Sequence, residues 1–397
     1  MLNRKIFTPA ILIVSFVSFL TDISSEMLYP VMPIYLKSIG FSVMLIGVLE
    51  GLAEATAGLS KGYFGKMSDL SGKRVPFVRA GYMLSAVSKP MMGLFIYPVW
   101  IFFARTIDRL GKGIRTSARD AILSGETTPE NKGKVFGFHR AMDTFGAVLG
   151  PVFALIYLNF YPENYRTLFF IAFIPAAAGV LFTFILKDEN KTSHKIKGER
   201  KKFFSFLSYW KTAETEYKKL VTGLFFFTLL NSSDIFLLLM VKNLGFPDDK
   251  VIFVYIFYNL VYALTSFPIG ILADKIGFKN SFIIGLVFFV IVYGGMAMDP
   301  GTGFLFFIFF CYGIYASSTE GVSKAWITNI SEKKDTATAL GFYSGLNSIF
   351  SLAASSFAGF LWFTFGPKVM FIFSAAGTSG VIMYLIINLR KTDQSSI

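Results

Sequence analysis

Cysteine is almost missing from the chain. Cys311 is the single one among 397 residues, so no internal disulfide can form. Histidine is nearly as scarce, and two imidazoles with one thiol cannot furnish a dedicated Cys/His metal centre. Charge is thin as well. Asp, Glu, Lys and Arg make up 16% of the residues, where a soluble domain carries about 25%. There is no Gly-x-x-x-x-Gly-Lys-Ser/Thr loop, which excludes ATP-driven pumping by this chain. His139 and Asp143 are separated by three residues, one fewer than the acyltransferase His-Asp pair requires. Neither an enzyme nor a metal nor an organic cofactor is expected.

What fills the chain instead is apolar. Hydrophobic residues reach 54% and aromatics 17%, with 47 phenylalanines, and the mean hydropathy is +0.57. So much apolar surface cannot be buried in one water-soluble core. It falls into runs of roughly 20 residues, each long enough to cross a bilayer as a helix rising about 1.5 Å per residue. We expect an all-α integral membrane protein with roughly twelve spans. They lie at 8–36, 42–64, 77–97, 99–123, 135–159, 167–186, 220–243, 251–271, 280–298, 304–329, 337–363 and 369–389. The expected organisation is an N-terminal six-helix bundle (1–186), a basic linker (187–219) and a C-terminal six-helix bundle (220–397). Within the linker, Phe203, Phe204, Phe206, Leu207, Tyr209 and Trp210 suit an amphipathic helix at the membrane surface. The first run follows Met-Leu-Asn-Arg-Lys directly, carries Asp22 and Glu26, and has no small-residue cleavage site. It reads as a spanning helix and not as a removed signal.

A net charge of +13 would suggest nucleic acid, but the placement of the charge argues otherwise. Lys and Arg concentrate in alternate loops, at Lys66, Lys73, Arg74, Lys132, Lys134, Lys275, Lys279, Lys333 and Lys334, in the linker, and at Arg4, Lys5, Arg390 and Lys391. The intervening loops hold few, among them Lys37, Arg166, Lys242, Lys250 and Lys368. This asymmetry is the positive-inside signature. It predicts a multi-pass protein of the plasma (inner) membrane with both termini cytoplasmic.

One loop sequence occurs twice. Gly65-Lys-Met-Ser-Asp69-Leu-Ser-Gly72-Lys73-Arg74 returns, 205 residues later, as Gly270-Ile-Leu-Ala-Asp274-Lys-Ile-Gly277-Phe-Lys279. Gly137-Phe138-His139 likewise falls opposite Gly341-Phe342-Tyr343, at an offset of 204. A chain of two similar halves with the same charged turn in each suits a carrier better than a channel. These residues resemble the major facilitator superfamily. Its loop pattern G-x-x-x-D-x-x-G-[RK]-[RK] is matched by Gly65, Asp69, Gly72, Lys73 and Arg74, and in weaker form by Gly270, Asp274, Gly277 and Lys279. Arg109-Leu-Gly-Lys112-Gly113 resembles its fourth-helix signature R-x-x-[QK]-G. Gly146-Ala-Val-Leu-Gly150-Pro151 resembles G-x-x-x-G-P, associated with the proton-coupled drug-antiporter-like branch, although Val152-Phe153-Ala154 replaces the glycine pair that usually follows. The resemblance implies conformational gating by Gly65, Asp69, Gly72, Lys73, Arg74, Asp274, Gly146, Gly150 and Pro151. Physically, Asp69 is placed to accept hydrogen bonds from backbone N–H groups at a neighbouring helix start, or to pair with a cation.

Charges inside the spans carry the functional signal. Arg105, Asp108, Arg109, Lys112, Arg115 and Arg119 follow one another at steps of one, three and four residues, which sets them on one face of a helix. A charge at the bilayer centre costs roughly 2.5–3.5 kcal/mol, so this stripe must line a wet cavity or pair with other buried charges. Asp22 and Glu26, and Glu50 and Glu54, stand four apart on single helix faces, and the fifth span carries His139, Arg140 and Asp143. Lys89 is expected to pair with Glu50 or Glu54. The resemblance implies that the first, fourth, seventh and tenth helices line a central cavity. Asp234, Glu320 and Lys324 would then be the second half's contributions. Asp22 or Glu26 would carry the proton and Arg105, Asp108, Arg109, Arg140 and Asp143 would respond to it, whereas Lys112, Arg115 and Arg119 suit gating. Of the many aromatics, including Tyr258, Tyr262, Tyr312 and Tyr315, a subset would suit an amphipathic or planar substrate. The expected function is alternating-access antiport of protons against a small organic molecule, by a monomer in a lipid bilayer. The alternative is uptake or exchange of an anionic metabolite through an arginine-lined cavity.

Overall fold

The computed structural model describes residues 6–29, 31–41, 43–188, 203–246 and 248–389. The terminal charges Arg4, Lys5, Arg390 and Lys391 and linker residues 189–202 lie outside the described residues. Every regular element among the described residues is helical. In chain order these are α1 (Pro9–Leu28), α2 (Met32–Ser38), α3 (Val43–Ser71), α4 (Val75–Leu94), α5 (Pro98–Gly125), α6 (Lys132–Phe160) and α7 (Tyr165–Thr183). They continue with α8 (Tyr209–Thr212), α9 (Thr215–Leu230), α10 (Ile235–Asn243), α11 (Asp248–Ile276), α12 (Phe278–Met296), α13 (Thr302–Ile330), α14 (Thr336–Phe365) and α15 (Pro367–Asn388).

Local chemistry sets several boundaries. Thr8 caps α1, its hydroxyl oxygen accepting from the Ile11 N–H, and Pro9 occupies the first turn, where a missing N–H costs nothing. Two expected spans are interrupted. The run 8–36 breaks after α1 around Tyr29, next to Pro30 in the sequence. The run 220–243 breaks at Asn231-Ser232-Ser233-Asp234, where four short polar side chains in succession compete for backbone hydrogen bonds and end α9 before α10 begins. With α1–α2 and α9–α10 each taken as one span and the four-residue α8 set aside, the described helices make twelve. Nine helical stretches among the described residues are apolar enough to cross a membrane on composition alone, and α3, α4 and α5, which carry more polar residues, fall short.

Contacts divide the chain into two compact units. The first comprises Met1–Glu126, Met142–Thr212 and Glu332–Ser348; in it α4 packs on α5 and α7, α3 on α5, and α1 on α7. The second comprises Thr127–Ala141, Ala213–Ser331 and Ile349–Ile397; in it α13 packs on α11 and α12, and α15 on α12 and α9.

The end of the linker forms part of the first unit. Phe203–Ser208 is a 3-10 helix that runs directly into α8, so the segment expected as an amphipathic helix is helical, first 3-10 and then α. Phe206 is fully buried, and its ring lies where a Cβ on Gly62 of α3 would stand only 2.5 Å away. The Gly345 position of α14 is also in van der Waals range of that ring, at 3.6 Å. Lys66 donates to the Ser205 carbonyl at 2.8 Å, Tyr63 stacks on Phe203, and Trp210 stacks on Phe342 with centroids 5.6 Å apart. Phe204 remains exposed.

This strap gives a test of packing. Phe206→Ala should lower stability by about 3–5 kcal/mol, and Gly62→Ala by about 1–3 kcal/mol through overpacking. Because the new methyl would collide with the ring that Phe206→Ala removes, the double variant should be markedly less than additive in thermal denaturation. Additive losses would mean that Phe206 does not occupy the Gly62 notch.

Candidate functional site

Apart from the exposed Lys112, the stripe on α5 is buried in the first unit and tied to partners on α5 itself and on neighbouring helices. Asp108 is its hub. The Lys89 ammonium of α4 lies 2.9 Å from Asp108 Oδ1, and Arg105 and Arg109 each lie 3.5 Å from Oδ2. Ser88 donates a further hydrogen bond to Oδ1 at 3.3 Å. Arg109 also reaches Glu54 of α3 at 3.0 Å. Lys89 therefore binds Asp108 and also donates to Ser25 of α1; the expected partner Glu54 belongs to Arg109, and the Glu50 side chain is outside the described residues. Farther along α5, Arg115 donates to Ser85 and stacks over the Tyr82 ring at 4.6 Å. Arg119 pairs with Asp120 at 2.9 Å and donates to Ser18 at 3.1 Å. Asp120, the residue next to Arg119 in the chain, was not among the sequence candidates.

The G-x-x-x-G-P segment of α6 lies directly on α1. A Cβ on Gly146 would stand 2.6 Å from the Phe19 carbonyl and 3.0 Å from Asp22 Cβ, and one on Gly150 would stand 2.6 Å from the Met27 nitrogen. Only glycine lets the two backbones come this close. Pro151 follows within α6, which continues to Phe160. The approach brings Asp22 of α1 into electrostatic reach of Asp143 of α6, and Glu26 of α1 and Arg115 and Lys112 of α5 act on Asp22 as well. Asp143, also buried, acts on Arg119 in turn. Two further carboxylates and two cations thus act on Asp22 where the motif glycines seat one helix on another.

In the second unit the remaining candidates form two sets. Arg140 bridges Glu320 of α13 at 2.6 Å and hydrogen-bonds the Tyr262 hydroxyl, over whose ring it also lies. Lys324 lies one turn beyond Glu320 on α13. Asp234, at the break before α10, receives hydrogen bonds from Tyr258 at 2.7 Å and from Tyr312 at 2.6 Å. Both tyrosines were among the sequence candidates, but nothing in their spacing tied them to Asp234.

The repeated loops act as helix caps. Asp69 Oδ2 accepts from the Thr338 N–H at 2.7 Å and from its hydroxyl at 2.8 Å, at the start of α14, while Arg74 lies 3.5 Å from Oδ1. Arg74 also donates to the Ala121 carbonyl. Gly65 faces Ala337 so closely that a side chain there would strike the Ala337 carbonyl. Gly72 turns the chain at φ 65°, and Lys73 points to solvent. In the second unit Asp274 repeats the device at the start of α6, accepting from Gly133 N–H at 2.6 Å and Lys134 N–H at 2.7 Å. A carboxylate on the positive end of a helix contributes about 0.3–2 kcal/mol.

The sequence matches the Major Facilitator Superfamily profile over residues 14–247 and 220–396. The chain belongs to that family. This MFS protein is 33% identical over 393 residues to an uncharacterized MFS-type transporter of Methanocaldococcus jannaschii, covering 97% of this chain and 96% of the relative. It is 24% identical to the multi-drug resistance efflux pump PmrA of Streptococcus pneumoniae, over 70% of each chain. The crystal structure of the human organic anion transporter MFSD10 superposes with a TM-score of 0.80 at 16% identity, covering 96% of this chain and all of that one. The MFS chain is a multi-pass membrane transporter and not an enzyme.

Two tests follow from the MFS geometry. Asp108→Asn removes the shared anion from three buried cations and should destabilise by about 3–5 kcal/mol. Lys89→Met, which leaves Asp108 two guanidinium partners, should cost clearly less in the same thermal assay; equal losses would deny Asp108 its hub role. The second test concerns Asp69, which lies past the apolar part of α3. Burial pushes its carboxyl up to about 6, against the opposing pull of Arg74 and the Thr338 hydrogen bonds. A raised carboxyl in the folded state means that this state binds more protons than one with Asp69 exposed, so it gains stability as pH falls through about 6 and loses it above. The Tm difference between wild type and Asp69→Asn should move in favour of wild type on going from about pH 7.5 to about pH 5. Movement the other way would refute the buried placement of Asp69.

Proposed function

We propose that this MFS transporter exchanges protons for a small organic molecule, exporting it from the cytoplasm by alternating access. The reading rests above all on the meeting of Asp22, Glu26 and Asp143 at the Gly146/Gly150 contact. Asp143 and Glu26 act on Asp22 as like charges, a repulsion that a bound proton relieves, and Arg115 and Lys112 act on it with the opposite sign and would favour its release when the helices shift. A motion of α1 against α6 would therefore change both proton occupancy and helix packing in one step. The name of the PmrA relative, an efflux pump, supports the outward direction.

The caps supply the conformational half of the cycle. A contact worth about 0.3–2 kcal/mol, made by Asp69 or Asp274 in one state and released in the other, biases a two-state equilibrium without locking it. The anionic-metabolite alternative draws on the arginines of α5. Their engagement with Asp108, Glu54, Asp120, Ser85 and Tyr82 leaves less of that stripe to hold a substrate carboxylate, which favours the organic export reading. In the same reading the protein works as a monomer in the inner membrane with both termini cytoplasmic.

The test is transport in proteoliposomes under an imposed pH gradient. Wild type should couple proton entry to substrate exit. Asp22→Asn and Glu26→Gln should each lose gradient-driven transport by more than about 10-fold while keeping the wild-type Tm. Wild-type rates in both variants would remove the coupling site from α1.

A further inference from the structure

The strap that opens with Phe203–Ser208 presents its side chains in three rows. A 3-10 helix repeats every three residues, so 203 and 206, 204 and 207, and 205 and 208 each share a row. The first row docks on the first unit. Phe203 keeps some exposure but stacks on Tyr63 with centroids 5.2 Å apart, and Phe206 fills the space over Gly62. Tyr209 prolongs this row into α8 and is buried. The row of Ser205 and Ser208 is held by Lys66, which donates to the Ser205 carbonyl and, at 3.4 Å, to the Ser208 hydroxyl. The remaining row is left outside: Phe204 is 56% exposed and Leu207 39%.

Because the inner row is fixed, the outer row is already presented, and covering it costs little further ordering. The chain around it is basic. Lys195, Lys197, Arg200, Lys201 and Lys202 precede the strap in the sequence, with Glu199 among them, and Lys211 follows at an exposed position. Lys218 and Lys219 come just before the apolar run of α9, so the strap ends only a few residues from the start of a span, at headgroup depth. Exposed apolar side chains beside clustered cations at that depth are what an anionic leaflet attracts. The rings enter the acyl boundary while the cations stay with the phosphates. An acidic protein would answer the cations, but the headgroup layer is already adjacent.

We propose that Phe204 and Leu207, with Lys211 beside them, dock the strap into a leaflet rich in anionic phospholipid, so that the headgroup charge of the membrane decides whether the outer row is inserted. With both termini cytoplasmic, as proposed above, this is the inner leaflet. Neither attraction suffices alone. Two side chains bury little area, and cations without apolar contacts stay outside the acyl boundary; stable anchoring takes both. The docking is independent of proton coupling and of the molecule carried.

The experiment places a nitroxide on Phe204→Cys in the full-length protein and measures its collisions with a water-soluble nickel chelate and with oxygen. The lipid is phosphatidylcholine nanodiscs, with or without phosphatidylglycerol. The native Cys311 is buried, and the parent protein gives its background labelling. Phe204 and Leu207 are exposed, so replacing either removes no core packing. Phosphatidylglycerol should cut nickel collisions at position 204 by about 5-fold and raise oxygen collisions. High salt should reverse both changes. Adding Leu207→Ser or Lys211→Glu should keep position 204 in water even with phosphatidylglycerol. A nitroxide on Ser208→Cys, in the polar row, should stay accessible to nickel in every lipid. A label at 204 that remains in water in both lipids means that something other than the bilayer covers the row, and overturns the proposal. Insertion that ignores phosphatidylglycerol and salt, or equal protection at 204 and 208, overturns it too.

Discussion

An ion held away from water must find its counter-ion within reach, and that constraint organises the first unit. Asp108 meets it for three cations at once, from two helices, and Arg109 extends the same network to α3. Each contact ties one helix to another. The packing of α4 and α3 on α5 is thus electrostatic as well as apolar, and it holds together three spans that are more polar than the others. Removing the shared anion is much worse than never having buried the cations, because the desolvation has already occurred.

The same physics at lower stakes governs the helix ends. Backbone N–H groups at the starts of α14 and α6 have no partner within their own helix, and Asp69 and Asp274 supply one. Ends of this kind can be released at modest cost, since water can replace the carboxylate, whereas the Asp108 hub cannot open so cheaply. A carrier needs both kinds of contact: permanent ones that keep each unit intact, and weak ones that exchange as it cycles.

Much of this was legible in advance, and for identifiable reasons. The repeated Gly-x-x-x-Asp loop revealed the caps because a capping carboxylate needs only a turn and a nearby helix start. The periodicity of Arg105 to Arg119 revealed that the stripe had to be paired or wet. It could not reveal the pairs. Lys89 was assigned to Glu50 or Glu54 and lies on Asp108, and Asp120 went unnoticed beside Arg119. Helical spacing orders residues along one rod, but which rods face each other, and with what rotation, is set by packing across the unit. The Phe206 wedge against Gly62 is a similar case, since glycines in an apolar helix do not announce what will fill the space they leave.

The sequence by itself determined the solvent in which this chain folds, the number of its spans, and the residues that cannot face lipid, because those properties follow from length, hydropathy and the cost of exposing charge. Tertiary structure alone decided which partner each of these charges has. Asp108 and Asp234 are both acids within apolar segments. One is surrounded by cations and the other by tyrosines. Side-chain chemistry is the same in both; what differs is the set of neighbouring helices brought within about 3 Å, the distance over which a hydrogen bond or ion pair acts.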